Sequence, residues 1–532
     1  MSNWFLILPW LVPLLLLPVP SSRAVRWLPV FATLPALATA LFAPDNLTAE
    51  LGWLLMGTHL GIDNTGRLFL FFSSLTWFTA ALYSLLRPSL ATCRGRFRIA
   101  FLLAMSGNFL LIVAADMLSF YLGFALMGIS AYGMIVAPGT AAAIKAGRRY
   151  LGWTIAGELV LFSGMVLLAS RAAGTGFSDL AAVEPGMTAL VLIMLGFGVK
   201  MALPGLHFWL PSTYRAAPAA AAAVLAGPML AAGLLGWLRF LSPATATNAA
   251  TLFLTLGIAG ALLGLAGGLL QRDARGVLAW SSIAKAGTMT AILGTAFASP
   301  AASPAILFAL SLFAIHHLLI KSFFFLGMGE LESQGRNAWL IAGLALLALS
   351  LAGAPWSGGA ASKELLISGL GNDDSLASML FMVMAIGTAM LMTRFIWLAL
   401  YQESRKTSGD AITIGWFLLA IPATWLPYDL LQAGFSASAM LTLLAGIGLF
   451  AVTRSLVIGQ PGPMAMPGMR LNTEGIRSLQ SSVSKISHAA LHTLRRSLVD
   501  PGIEKRLAVG ATTALVWLTL FVMLLTTLIA PD

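Results

Sequence analysis

Gly196-Phe-Gly-Val-Lys200-Met-Ala-Leu-Pro204-Gly-Leu-His207-Phe-Trp-Leu-Pro211, running on through Arg215 to Pro218, decides how this chain is read. A lysine closes an apolar segment that begins near Met187, and Pro204, Pro211 and Pro218 follow it. Proline lacks a backbone donor and clashes with the preceding turn, so a helix entering this stretch must break. If the helix lies in a bilayer, its freed backbone groups survive only where protein or water surrounds them. A broken helix beside a buried lysine then marks a polar site at membrane depth, and an ionisable residue there is a functional candidate by default.

The rest of the chain supplies the bilayer. Of its 532 residues 58% are hydrophobic and 10% charged, and the mean hydropathy is +0.88. Soluble domains do not have that composition, so the chain is expected to be an all-α polytopic membrane protein. About sixteen apolar runs of roughly 17–25 residues recur, each long enough to cross a hydrocarbon core of ~30 Å. The first, near residues 3–20, lacks a basic leader and a cleavage site and is read as a span.

A net charge of +11 raises the question of nucleic acid, but the charges alternate. Loops after odd-numbered spans carry Arg23/Arg26, Lys145/Arg148/Arg149 and Arg272/Arg275. Those after even-numbered spans carry Asp45/Glu50/Asp63, Asp179/Glu184 and Asp373/Asp374. This is the positive-inside pattern; it puts both termini on the non-cytoplasmic side and implies no nucleic-acid role. The single cysteine, Cys93, excludes a disulfide framework and an iron–sulfur cluster held by this chain alone.

Charges inside the spans are few and regularly placed. Span 6 (147–170) holds Glu158, and span 7 (187–204) holds Lys200 ahead of His207. Lys285 is in span 10 (276–297), while His316, His317 and Lys321 are in span 11 (304–328). Span 12 (337–370) breaks at Gly353-Ala-Pro355-Trp-Ser-Gly-Gly359 and restarts with Ser362-Lys363-Glu364; span 13 (376–401) carries Arg394. Glu158 precedes Lys200 by 42 positions, and Lys321 precedes Lys363 by 42. An offset of 163 then pairs Lys200 with Lys363 and Ala231 with Arg394. Interrupted segments at matching positions of two halves indicate an internal repeat, inverted if each unit has five spans.

The domain reading follows: peripheral helices in 1–95, repeats in 96–245 and 246–402, further spans in 403–460, a cytoplasmic amphipathic segment in 461–505 and a last span in 506–532. Between Asn472 and Val499, Ile476, Leu479, Val483, Ile486, Ala490 and Leu494 recur at helical spacing with basic residues between them. That face suits lipid headgroups or a partner subunit equally.

A lysine ammonium is disfavoured in low dielectric, so a buried lysine can release and regain a proton where an arginine hardly can. A row of them is suited to proton relay. Lys200 and Lys321 sit too deep to snorkel easily. Lys285, about 15 Å of helix beyond Arg275, is at mid-depth or snorkels. His317 and Lys321 share a face at i,i+4; His316 points elsewhere and is read as packing. His207 either steadies the break or passes protons. Lys363 and Glu364 form either a structural pair or part of the relay. No haem-ligand pair, phosphate loop or metal spacing is present, so no cofactor, metal or intrinsic active site is expected.

These segments resemble the antiporter-like membrane subunits shared by respiratory complex I (NADH–quinone oxidoreductase), group 4 membrane-bound hydrogenases and Mrp sodium/proton antiporters. Lys200-Met-Ala-Leu-Pro-Gly-Leu-His-Phe-Trp-Leu-Pro, Asp273-Ala-Arg-Gly-Val-Leu-Ala-Trp-Ser-Ser-Ile, His317-Leu-Leu-Ile-Lys321 and Gly353-Ala-Pro with Ser362-Lys363-Glu carry the likeness, which covers about residues 60–400. It implies a core of about fourteen helices with two inverted five-helix repeats, proton movement along buried charged residues, and partner subunits in a bacterial inner membrane. The expected path is Glu158, Lys200, His207, Lys285, His317, Lys321, Lys363, Glu364 and Arg394. Two positions depart from the pattern: Phe124-Ala125 stands where the family has a glutamate, and Ala231 where it has a lysine or histidine. Glu158 is expected to replace that glutamate as the partner of Lys200; the competing expectation is a first half that no longer conducts. An Mrp-type cation/proton antiporter, moving sodium, and a membrane subunit energising a soluble partner such as an inorganic-carbon uptake protein are the alternative functions.

Overall fold

A computed structural model describes residues 3–19, 24–52, 57–86, 94–335, 337–369, 376–401, 420 and 437–457. The described residues all fall in one compact unit within Met1–Ile458. Cys93, the amphipathic segment 472–499 and the last span lie outside the described residues.

This unit opens with α1 (Trp4–Leu15), α2 (Leu28–Phe31) and α3 (Leu34–Phe42), then an antiparallel hairpin of β1 (Thr48–Leu51) and β2 (Thr58–Gly61), then α4 (Asn64–Leu86). Next come α5 (Arg94–Val113), α6 (Met117–Val136), α7 (Ala141–Ala169), the short α8 (Phe177–Ala181), α9 (Met187–Lys200), α10 (Leu210–Ala216), α11 (Ala219–Ala226) and α12 (Pro228–Phe240). After these follow α13 (Ala250–Leu269), α14 (Ala274–Ala298), α15 (Ser303–Gln334), α16 (Ala338–Ala352), α17 (Gly358–Gly369), α18 (Leu376–Leu400) and α19 (Ala437–Val457). Among the described residues eight helices are long and apolar enough to cross a membrane, and α9 and α16 are among the shorter apolar ones.

The repeat is plain in this order. Three full-length helices, α5, α6 and α7, precede the broken pair α9/α10, and α11/α12 closes the first half. In the second half α13, α14 and α15 precede the broken pair α16/α17, and α18 closes it. Counting each broken pair and α11/α12 as one, each half has five helical segments in the same order.

Helix starts follow local chemistry. Asp116, Thr140 and Asp273 cap α6, α7 and α14 by accepting from the backbone N–H three residues on. Asp116 also accepts from the N–H of His59 at 2.9 Å, tying the hairpin to the start of α6. At the first break Ala202 and Gly205 adopt positive φ, and Pro211 sits in the first turn of α10. At the second, Gly353 ends α16 in the left-handed region, at φ +86°.

Polar pairs collect at the helix ends. Arg239, in the last turn of α12, holds Asp63 with two hydrogen bonds of 2.8 and 2.7 Å. Arg215 meets Asp273, and Arg275 meets Glu332 at 2.6 Å. Partial burial of Asp63 disfavours its charge, but the Arg239 hydrogen bonds and charge and the Gly66 N–H outweigh it, so its carboxyl titrates below the ordinary range. A depressed carboxyl contributes stability that is complete above the unfolded value of about 3.9 and is lost as pH falls through the folded one. Asp63→Asn is therefore expected to cost about 1 kcal/mol at neutral pH, a modest figure because the side chain is 45% exposed. Thermal unfolding in detergent checks this, and the difference from the native chain should vanish only in strong acid.

Candidate functional site

The first group forms around a missing side chain. Gly128 of α6 faces α7, and a Cβ built on it would lie 2.5 Å from Glu158 Oε1, 3.0 Å from Thr154 Cγ2 and 3.6 Å from Lys200 Nζ. Glu158 and Lys200 thus border the same space although they come from different helices, both nine-tenths buried or more. The ammonium does not rest on the carboxylate. Lys200 Nζ donates to Tyr150 Oη at 3.1 Å, and that hydroxyl donates to the Gly128 carbonyl at 2.9 Å. Glu158 Oε1 is buried without a hydrogen-bond partner. Trp209 braces the break: its indole N–H donates at 2.8 Å to the Val199 carbonyl in the last turn of α9, which also accepts from the Ala202 N–H at 3.2 Å.

His207 lies in the break, stacked on Phe208 at 4.5 Å and 5.5 Å from the Trp280 ring of α14, with Nδ1 buried and unpartnered. It lies at the seam between the repeats, beside the helix that carries Lys285.

The second group is larger and wholly basic. Lys285 is buried, with Nζ 4.8 Å from the centroid of Phe313 on α15, so it does not snorkel. Phe313 is one turn from His316 and His317 on that helix. Lys321, fully buried, donates to the Leu278 carbonyl at 2.8 Å and to the Ser281 hydroxyl, both on α14. His317 Nε2 is buried without a partner. His316, read from sequence as packing, instead meets the Ser350 hydroxyl at 3.0 Å, one turn before the second break. Helical spacing puts His317 beside Lys321 and carries no sign that α16 packs on the other face of α15.

Lys363 departs from the sequence reading in an informative way. The 163-residue offset makes it the counterpart of Lys200, yet α9 ends at Lys200 and α16 ends at Ala352. Lys363 lies beyond the break, in α17, and its ammonium reaches back to donate to the Ala352 carbonyl. The amine, and not the residue, occupies the equivalent place. The offset carries the end of α9 to position 363, whereas α16 ends at Ala352.

Two further expected members lie apart. Glu364 is exposed, while Lys363 beside it is buried, because adjacent residues on a helix face different ways; it does not belong to the interior group. Arg394 donates to the Gln271 carbonyl at 2.7 Å, in the turn between α13 and α14, and its guanidinium lies over Trp397. It stands at the end of the helices, away from the lysines. Ala125 and Ala231 add no charge to the group formed by Glu158 and Lys200 in the first half. Among the described residues no three His, Cys, Asp or Glu side chains are grouped as a metal site.

A model of the NADH:quinone oxidoreductase/Mrp antiporter membrane family matches residues 114–393, from the start of α6 to one residue short of Arg394. The chain belongs to that family. Hydrogenase-4 component B of Escherichia coli (strain K12) is 26% identical over 314 residues, 56% of this chain and 45% of the relative. A Na(+)/H(+) antiporter subunit of Bacillus subtilis (strain 168) is 26% identical over 447 residues, 76% of this chain and 88% of the relative. The chain spans about half the length of several of the curated relatives it matches. In fold it is similar to a chain of respiratory complex I from Thermus thermophilus, with a TM-score of 0.69 and 21% identity over 85% of this chain and 100% of that one. The multi-pass, all-α reading and the antiporter-like family are thereby established. The family match encloses both breaks and every buried lysine named above.

Proposed function

We propose that this chain is the proton-translocating, antiporter-like subunit of a multisubunit complex in a bacterial inner membrane, with both termini on the non-cytoplasmic side. It carries no reaction centre of its own and serves a redox partner of the quinone-reductase or hydrogenase type. One observation carries this reading: Lys200, Lys285, Lys321 and Lys363 are all buried in membrane helices, and each ammonium rests on a hydroxyl, a carbonyl or a ring instead of a carboxylate. Unpaired ammonium groups are costly in such surroundings, and folding alone has no use for them. They are groups from which protons can leave and to which protons can return. His317 and His207, each with an unpartnered ring nitrogen, suit the intervals between them. In the first half Glu158 serves Lys200 from α7 in place of the absent glutamate at Ala125.

The test is proton uptake by vesicles holding the complex purified through a tag on this chain, with its other subunits identified. Flux well above that of a Lys321→Met control supports the reading; flux equal to the control sinks it. Glu158→Ala is expected to lower flux about tenfold, as for loss of a positioned proton-transfer group; unchanged flux removes Glu158 from the path. A second reading, an Mrp-type cation/proton antiporter, is favoured by the span of the Bacillus subtilis match. Sodium-dependent flux without any redox subunit would select it. Co-purification of a soluble partner instead would select a subunit that energises carbon uptake.

A further inference from the structure

We infer that Tyr150 is the positioning residue for the Lys200 ammonium, and that its phenol and the Glu158 carboxylate are rival acceptors on either side of the space that Gly128 leaves open. The inference rests on the proton-pathway reading and deepens it at one site. Tyr150, Thr154 and Glu158 stand one turn apart on the same face of α7, all buried. The phenol is fixed from two directions. Its hydroxyl donates to the Gly128 carbonyl at 2.9 Å, and its ring meets Trp209 edge-on at 5.2 Å. Its oxygen therefore keeps a lone pair aimed at Lys200 Nζ, 3.1 Å away, while the ammonium lies 5.3 Å from the centre of its ring and 5.6 Å from that of Phe124.

The Glu158 carboxylate is held nearby, with Oε1 buried and unpartnered beside Gly128. A charged hydrogen bond to a carboxylate is stronger than one to a neutral hydroxyl. A resting ammonium on the phenol therefore needs the phenol to be rigidly placed, which Gly128 and Trp209 provide. The neighbouring helix matters too. A methyl group at position 128 would strike Glu158 Oε1 at 2.5 Å, so glycine keeps the second position open. Tyr150 thus sets how readily Lys200 leaves for Glu158, without itself carrying the proton.

Tyr150→Phe removes only the hydroxyl and keeps the ring. In the purified full-length chain labelled with 15N-lysine, the Lys200 Nζ resonance is assigned by its loss in Lys200→Met. It is expected to shift in Tyr150→Phe, as the ammonium moves to the carboxylate, and to stay in place in Glu158→Gln. A resonance that shifts in Glu158→Gln and not in Tyr150→Phe overturns the inference. In vesicles Tyr150→Phe should lower flux about fivefold alone and have no further effect in a Glu158→Gln background. A side chain that merely packs would instead multiply the two losses, and that result also overturns the inference. The resonance needs no transport, so vesicles in which even the native protein is silent count against the proposed function while this test still decides the role of Tyr150.

Discussion

Lys321→Met is expected to fold at least as well as the native chain while losing proton flux by a factor of about ten or more. The two halves of that expectation have one cause. Lys321 is fully buried, and its ammonium is held by the Leu278 carbonyl and the Ser281 hydroxyl with no carboxylate within ion-pair distance among the described residues. Replacing a buried charge by an apolar side chain of similar length often leaves a protein unchanged or more stable, by about 1–4 kcal/mol where measured. Leu278 loses an extra donor, but its carbonyl stays inside the helix ladder of α14. The Ser281 hydroxyl keeps an acceptor in the same carbonyl. A structural lysine would behave in the opposite way, with stability and flux falling together. Thermal unfolding and vesicle flux on the same preparation separate the cases, and a destabilised variant would show that Lys321 is there to hold α14 against α15.

Gly287→Val is expected to prevent accumulation of the folded chain. Gly287 on α14 faces Gly257, Gly260 and Ala261 on α13, and a Cβ there would strike their backbone atoms. Gly257, Gly264 and Gly294 meet the opposing backbone in the same way along this seam. Helices in lipid gain little from the hydrophobic effect, so their association depends on such close approach. Backbone cannot step aside as a side chain does, and overpacking already costs about 1–3 kcal/mol where side chains are free to adjust. Here about 3 kcal/mol or more is expected, because the whole helix pair must separate. Lys285, two positions away, would be displaced with it. Yield after gel filtration in mild detergent is the measurement, with Gly448→Ala as the control, since nothing lies within 4 Å of a Cβ at that position. Equal yields of the two variants would show that the seam has slack.

The membrane class, the two breaks and the buried lysines were legible because apolar length, proline and isolated charge are local signals. Glu158, Lys200, Lys285, His317, Lys321 and Lys363 are each buried as their positions along the spans imply. What sequence could not give is what faces what. Tyr150 is an ordinary tyrosine until α7 and α9 are packed, when it becomes the acceptor for Lys200. His316 faces away from Lys321, and the helix it points towards, α16, lies more than twenty residues on in sequence. Glu364 was drawn in by adjacency to Lys363, although neighbours on a helix diverge by about 100°. Arg394 was placed by numerical offset, which ignores how far a guanidinium reaches; it ends on the Gln271 carbonyl.

The two breaks also show that a duplicated fold need not solve one problem twice in the same way. Where α9 stops, the buried carbonyl of Val199 is held by the Ala202 N–H and by the indole of Trp209, donors with no proton to lose at any pH a cell meets. Where α16 stops, the carbonyl of Ala352 is closed by the ammonium of Lys363. Departure of one proton weakens that charge-assisted bond. One joint of the molecule is riveted, and the other is fastened by a group that holds its bond most strongly while it holds its proton.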